Sequence, residues 1–401
     1  MKLHSAAETF ENGPLLLAIL DNDFYKFTMQ QGVVRLFPRA GARYSFINRG
    51  EHSFPPGFDK ALRSAVDAMA SLQLSRQEKQ FLADNCPYLD PVYLDFLEGY
   101  RYNPGEVHIE QKDADLEVSI EGLWYRTILW EVPLMSLICE LYYRLSGLER
   151  VSDEQVIART EEKIENYNKL GVTVADFGTR RRHSYEVHRL VLSALSKFGG
   201  SAFIGASNVH LAMLYRTKPI GTHAHEWFMY HAAHYGFKMA NALGLENWVN
   251  IYRGDLGIAL SDTYTTEVFF RQFDKMFSKL FDGVRHDSGD PLVFAQRVIA
   301  HYINLGIDPL TKTIIFSDAL NYEKVARIAE YCRGKIGMSF GVGTSLTNDA
   351  GPHPMNIVIK MTEAKPGDDD WIPVIKLSDE EMKHTGNAGM ISLAKSILKI
   401  D

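Results

Sequence analysis

Between about residue 170 and residue 344 the chain repeats one arrangement: a short apolar strand, a polar cluster, then in nearly every case a helix. Strand-like runs at 172–175, 201–204 and 219–220 end at Asp176-Phe177-Gly178-Thr179-Arg180-Arg181, Gly205-Ala206-Ser207-Asn208 and Gly221-Thr222-His223-Ala224-His225-Glu226. Runs at 258–260, 283–284, 313–316 and 337–340 end at Ser261-Asp262-Thr263-Tyr264, Arg285-His286-Asp287-Ser288-Gly289-Asp290, Ser317-Asp318 and Gly341-Val342-Gly343-Thr344. Parallel neighbours need a long crossover, usually helical, so seven such units in a row predict a parallel β/α array. In an α/β barrel the loops after the strand C-termini gather on one face, where active sites of that fold lie. One or two polar clusters could arise by chance; seven argue for a single shared site.

The flanks follow a different pattern. A helix is expected at 23–37 with Asp23 as its cap, then a strand at 41–48 and helices at 58–72, 75–84 and 90–99. Runs at 106–112 and 115–121, split by Asp113-Ala114, predict a hairpin, and a long amphipathic helix at 133–148 leads out. Near the C-terminus, strands at 356–362 and 371–377 enclose the turn Lys365-Pro366-Gly367-Asp368-Asp369-Asp370. Its acidic triplet reads as a solvated loop tip. This hairpin is expected to return to the N-terminal domain. The fold class is therefore α/β: an irregular barrel at 146–352, an α+β domain at 1–145, and a segment at 353–401 that rejoins it.

Charge narrows the partners. With 43 basic against 50 acidic residues the net charge is −7, so no bulk basic field draws the chain to nucleic acid or anionic lipid. An anionic substrate needs local arginines instead. Cys86, Cys139 and Cys332 are far apart, which argues against a disulfide framework or zinc knuckle and fits a reducing cytosol. The apolar run 15–20 is stopped by Asp21-Asn22-Asp23, and nothing approaches the roughly 18 apolar residues of a membrane span. A soluble, cytoplasmic protein is expected.

The strand-end residues carry the chemistry. Gly341 and Gly343 with Thr344 can let backbone N–H groups close on phosphate oxygens. Arg180, Arg181 and Arg285 supply forked donors for phosphate or carboxylate. Asp176, Asp287 and Asp318 can hold ribose hydroxyls, or Mg²⁺ bound to pyrophosphate. With Ser207, Asn208, Thr222, Ser288 and His225, the set suits a phosphorylated sugar better than a neutral metabolite. A placed imidazole can take a proton, bind a metal or attack phosphorus. The run Gly341-Val342-Gly343-Thr344-Ser345-Leu346 lacks the third glycine of a dinucleotide fingerprint, and the chain contains no Gly-x-x-x-x-Gly-Lys-Ser/Thr loop. A metallohydrolase barrel is the rival reading, with His223, His225 and Asp287 as zinc ligands. It needs further histidines at strand ends, whereas His183 and His210 read as lying inside helices, and Arg285 would repel a divalent ion.

In this order and spacing, several motifs resemble those of the nicotinate phosphoribosyltransferase family in its bacterial form. They are Asp23-Phe24-Tyr25-Lys26, Asp176-Phe177-Gly178-x-Arg180-Arg181, Gly221-Thr222-x-Ala224-His225-Glu226, Arg285-x-Asp287-Ser288-Gly289-Asp290, Ser317-Asp318 and Phe340-Gly341-Val342-Gly343-Thr344. The resemblance implies a type II phosphoribosyltransferase fold, with a sheet domain contributed by both chain ends. It implies that nicotinate displaces pyrophosphate from 5-phosphoribosyl-1-pyrophosphate, giving nicotinate mononucleotide, with Mg²⁺ and coupled ATP hydrolysis. This is the entry step of NAD synthesis from the free acid. The autophosphorylated histidine falls on His225, leaving His223 incidental, and Arg285 and Asp287 complete the catalytic set. Nicotinate binding falls on Tyr25, Thr222 and Arg285, and sugar-phosphate binding on Thr344 with its glycines. Tyr25 is expected to reach a neighbouring subunit's site, which implies a homodimer.

A physical reading of the same residues fills in the remainder. Tyr25 and Phe177 can sandwich the ring. Arg285, with Arg180 or Arg181, can orient a carboxylate, and the arginines beside Phe177 favour an acid over nicotinamide. Mg²⁺ is expected through pyrophosphate rather than a protein cage, with Asp318 in support. A barrel that binds phosphosugar without catalysis is a further alternative, disfavoured by intact motifs at every strand end.

Overall fold

A computed structural model of the chain describes residues 15–380 and 383–400. The first fourteen residues assigned to the N-terminal domain, residues 381–382 and residue 401 lie outside that description.

The first part of the chain supplies helix Phe24–Leu36, then strands β1 (Gly41–Asn48), β2 (Val107–Lys112) and β3 (Asp115–Leu123). Asp23 stands at the N-cap of the helix but makes no side-chain cap bond. Its Oδ1 instead accepts a hydrogen bond from Ser207 Oγ at 2.7 Å, so the cap carboxylate is spent on the barrel. Helix Glu131–Leu145 follows, somewhat earlier than expected, and is buried on most of its surface.

The next strands in the chain are β4 (Val174–Asp176), β5 (Phe203–Ala206), β6 (Arg253–Leu256), β7 (Ile258–Leu260), β8 (Gly283–His286), β9 (Thr313–Phe316) and β10 (Gly337–Val342). Six of them, all but β6, form a parallel sheet in the order β5-β4-β10-β9-β8-β7. The expected strand at 219–220 is reduced to one parallel bridge between Ala206 and Pro219. Ile220 N–H donates to Ala206 O at 2.9 Å, but Pro219 has no N–H to extend a ladder. Side chains complete the ring. Thr222 Oγ1 donates to Ile258 O at 3.3 Å, and the Leu260 N–H donates to His223 Nε2 at 3.2 Å. The edges β5 and β7 are thereby joined through 219–223, and the staves run round in chain order. Phe316 and Phe340, stacked at 5.6 Å and fully buried, fill the middle.

The C-terminal segment returns as β11 (Ile357–Lys365) and β12 (Ile372–Pro373). β11 lies antiparallel to β1, giving an antiparallel sheet in the order β12-β11-β1-β3-β2 that draws on both ends of the chain. The second strand of the expected hairpin stops at Pro373 rather than 377. Beyond it the chain crosses to the barrel, where Leu377 pairs with Tyr264 and Lys376 Nζ lies 3.2 Å from Asp262 Oδ2. Asp368, Asp369 and Asp370 are exposed at the turn between the strands. Among the described residues no helix is long and apolar enough to cross a membrane.

Candidate active site

One cavity of about 390 Å³ opens at the C-terminal ends of the barrel strands. β4 contributes Phe177, Gly178, Arg180 and Arg181, and β5 contributes Ser207. From the 219–220 stave come Gly221, Ala224 and His225, and from β8 come Arg285 and Asp287. β9 adds Ser317, and β10 adds Gly341, Gly343, Thr344 and Ser345. The polar tips therefore converge on one mouth. Its outer wall is formed by Asp23 and Tyr25 from the first helix and by residues 354–356 of the returning segment.

His225 opens helix His225–Tyr235 and faces the cavity. Its Nε2 lies 3.0 Å from Asp287 Oδ2, and its Nδ1 lies 3.0 Å from Thr263 Oγ1. Burial, helped by the Lys376 charge, lowers the imidazole pKa to about 4 against the opposing pull of Asp262 and Asp287. Burial acts to raise the Asp287 pKa, but the His225 hydrogen bond and the Arg285 and Lys376 charges outweigh it and hold the carboxyl well below its ordinary value. The pair is thus a neutral imidazole on an ionised carboxylate. A carboxylate only accepts, so Nε2 carries the hydrogen and the Nδ1 lone pair is left for the Thr263 hydroxyl or an electrophile.

Two glycines seat the aromatic residues. A Cβ on Gly341 would stand 2.3 Å from the Phe177 ring, and one on Gly221 would stand 2.7 Å from Tyr25 N. Gly341, expected to open its backbone to phosphate, lies inside β10, and the space of its absent side chain is taken by Phe177. Tyr25 lines the cavity of its own chain, because the first helix packs directly on the 221–222 segment. Arg285 Nη1 donates to His223 O at 3.2 Å, while its Nε is buried with no protein partner among the described residues. That leaves a charged donor free for an anion.

Five expected residues are not at the cavity wall. Asn208 caps its helix through Leu211 N–H and donates to Asp21 Oδ1 at 2.7 Å. Ser288 donates to Asp262 Oδ2 at 2.6 Å. Thr222 is spent on barrel closure. Asp318 is neutralised by Lys383 at 2.8 Å and Lys324 at 3.6 Å. Asp176 is likewise inward, accepting from Gly178 N–H at 2.9 Å and meeting His188 Nε2 at 2.7 Å. His223 is fully buried, its Nε2 occupied by the Leu260 amide and its ring against Phe228 and Trp248. The two histidines therefore do not converge on a metal. His183 lies in the bend before helix Tyr185–Phe198, not inside it, and stacks on Tyr143 at 4.5 Å. Sequence reasoning missed Asp262, Thr263 and Lys376 around His225. The first two stood in a strand-end cluster, which was a usable signal; Lys376 arrives from the far end of the chain and had none.

A parallel α/β barrel gathering a histidine–carboxylate pair, arginines and two aromatic rings at one mouth defines the class: an α/β-barrel protein with one polar, arginine-lined site at the strand ends. Residues 20–139 and 172–400 match the two parts of the nicotinate phosphoribosyltransferase (NAPRTase) family, its N-terminal domain and the family's main region. The chain belongs to that family. It is 63% identical over 386 residues to the nicotinate phosphoribosyltransferase of Chromohalobacter salexigens, covering 96% of this chain and 99% of that one. To that of Methanosarcina acetivorans it is 44% identical over 404 residues, covering 96% and 98%. The crystal structure of the Porphyromonas gingivalis nicotinate phosphoribosyltransferase superposes with a TM-score of 0.94 at 44% identity, covering 96% of this chain and 100% of that one. The Vibrio cholerae structure gives 0.91 at 32% identity, covering 98% and 96%.

Proposed function

We propose that the protein transfers the phosphoribosyl group of 5-phosphoribosyl-1-pyrophosphate to the ring nitrogen of nicotinate, releasing pyrophosphate, and that ATP drives the exchange through a phosphohistidine at His225. This is the entry of free nicotinate into NAD synthesis. The observation that carries the reading is the neutral His225 imidazole facing the cavity with Asp287 on Nε2 and Thr263 on Nδ1. Nδ1 attacks the γ-phosphorus of ATP, ADP leaves, and the positive charge that develops on the ring is balanced by Asp287. Hydrolysis of the phosphohistidine later returns phosphate and free His225.

The transfer itself is a matter of charge placement and alignment. Tyr25 and Phe177 hold the flat ring, and Arg285 with Arg180 or Arg181 takes the carboxylate so that the nitrogen faces the anomeric carbon. Gly343 and Thr344 take the sugar phosphate. Ser207 borders the ring site, through its bond to Asp23. Mg²⁺ would enter on the pyrophosphate oxygens, whose charge offsets the repulsion of Arg285 and of Lys376, 3.2 Å from Asp262 Oδ2. Donor atoms of His225, Asp262 and Asp287 lie within 4.8 Å of one another, and Asp262 Oδ1 is buried without a partner among the described residues. Asp262 and Asp287 would hold the ion together with substrate oxygens, and it would neutralise the leaving pyrophosphate. A phosphate on His225 adds about two negative charges beside these arginines, which is how hydrolysis can tighten substrate binding. The homodimer implied by the resemblance and the cytoplasmic location expected from the composition remain part of the reading.

The test is product formation from nicotinate or nicotinamide with 5-phosphoribosyl-1-pyrophosphate, with and without ATP. Nicotinate mononucleotide formed faster with ATP, and little product from nicotinamide, is the expected result. Equal turnover of the two bases would overturn the assignment of substrate.

A further inference from the structure

Behind the cavity lie three buried charged residues, Lys26, Glu131 and Glu226, that the proposed chemistry does not use. Lys26, next to Tyr25, is fully buried. Its Nζ lies 2.5 Å from Glu131 Oε2 and is also paired with Glu226 Oε1. Glu131 turns its other oxygen toward Arg180 Nη1, 3.7 Å away at the cavity wall. Glu226, the residue after His225, accepts a second hydrogen bond from Tyr44 Oη at 2.7 Å. Two cations and two carboxylates thus form one neutral chain. One end is a substrate-facing arginine, and the other is the helix start that carries His225.

The members come from four separate segments: helix Phe24–Leu36, helix Glu131–Leu145, the turn Thr179–Arg181 and helix His225–Tyr235. A generic buried ion pair would need only two of these. Arg180 is half exposed, and Glu131 is the carboxylate paired with it, at 3.7 Å. We propose that Lys26 and Glu131 are positioning residues that fix Arg180 and the His225 helix start relative to one another across the cavity. This rests on the assignment of Arg180 to the nicotinate carboxylate and of His225 to phosphorylation. The two arms should separate on mutation. Glu131 acts on Arg180, whereas the Tyr44 hydroxyl, the one group lost in Tyr44→Phe, acts on Glu226.

The test measures nicotinate KM, ATP-dependent phosphate on His225 and melting temperature for wild type, Glu131→Gln, Tyr44→Phe and Lys26→Met. Glu131→Gln should raise the nicotinate KM about three- to tenfold, the cost of ordering one freed side chain. Tyr44→Phe should leave that KM in place and slow labelling of His225. Lys26→Met cuts both arms and should show both effects; if it fails to fold, the two milder variants still decide. Lower melting temperatures with wild-type kinetic parameters would mean the network is only structural and would overturn the proposal. So would the same kinetic change in both single-arm variants. A wild type that never labels His225 refutes the phosphohistidine instead, and the KM of Glu131→Gln still tests the Arg180 arm.

Discussion

Replacing His223 by alanine should damage the fold and spare the chemistry. The imidazole is fully buried and accepts the Leu260 N–H at 3.2 Å, one of two side-chain bonds joining 219–223 to β7. Burial and the nearby Arg285 charge hold its pKa well below the ordinary value, so it accepts in the neutral form. In His223→Ala the Leu260 amide loses its acceptor in a buried site, at about 1–3 kcal/mol. The void left between Phe228 and Trp248 adds about 2 kcal/mol. The sum, about 3–5 kcal/mol, is a large part of the roughly 5–15 kcal/mol that keeps a protein folded. His223→Gln retains an acceptor oxygen and should recover about half of the loss. Urea unfolding of the three proteins gives the order wild type, His223→Gln, His223→Ala, and the folded fraction of each still takes label from ATP. A midpoint for His223→Ala equal to wild type would refute the barrel-closing role, and a folded but unlabelled variant would return His223 to the chemistry.

Further outcomes follow from the same geometry. In Asp287→Asn the side-chain NH₂ can donate to His225 Nε2 and shift the hydrogen to Nδ1, so labelling should slow by roughly 10²–10⁴-fold; a change under about threefold would contradict it. Gly341→Ala places a Cβ 2.3 Å from the Phe177 ring, and the displaced ring should raise the nicotinate KM about tenfold, whereas an unchanged KM would contradict the seat. With a His225 pKa of about 4, labelling should be flat from about pH 8 to 6 rather than falling with an ordinary histidine. Burial likewise lowers His183 and His231 to about 4, so the unfolded chain takes protons first as pH falls. Their stabilisation is complete above about 6.5 and is lost toward pH 4, up to about 3 kcal/mol each, and a urea midpoint constant from pH 7 to 5 would refute this.

The barrel was legible because each strand of its parallel sheet combines an apolar run with a polar stop, and both are local. Strand 41–48 was equally plain, with aromatic and β-branched residues between a glycine and a turn. What escaped was set by distance along the chain. Lys26 finds its partners at positions 131 and 226, and Lys376 crosses to Asp262. No window of sequence carries those pairings. Asn208 and Ser288 show the converse: a polar residue at a strand end can serve a helix cap or a neighbouring carboxylate as readily as a ligand. The pair His223 and His225 makes the point within three residues. One imidazole closes the barrel and the other faces the cavity, and only the positions of the Leu260 amide and the Asp287 carboxylate tell them apart.

The most direct test of the account is to incubate the protein with ATP labelled at the γ-phosphate and map the bound phosphate under conditions that preserve acid-labile linkages. It predicts label on His225, none in His225→Ala, and label on the folded fraction of His223→Ala. Label absent from the wild type, or found on another residue, would contradict it.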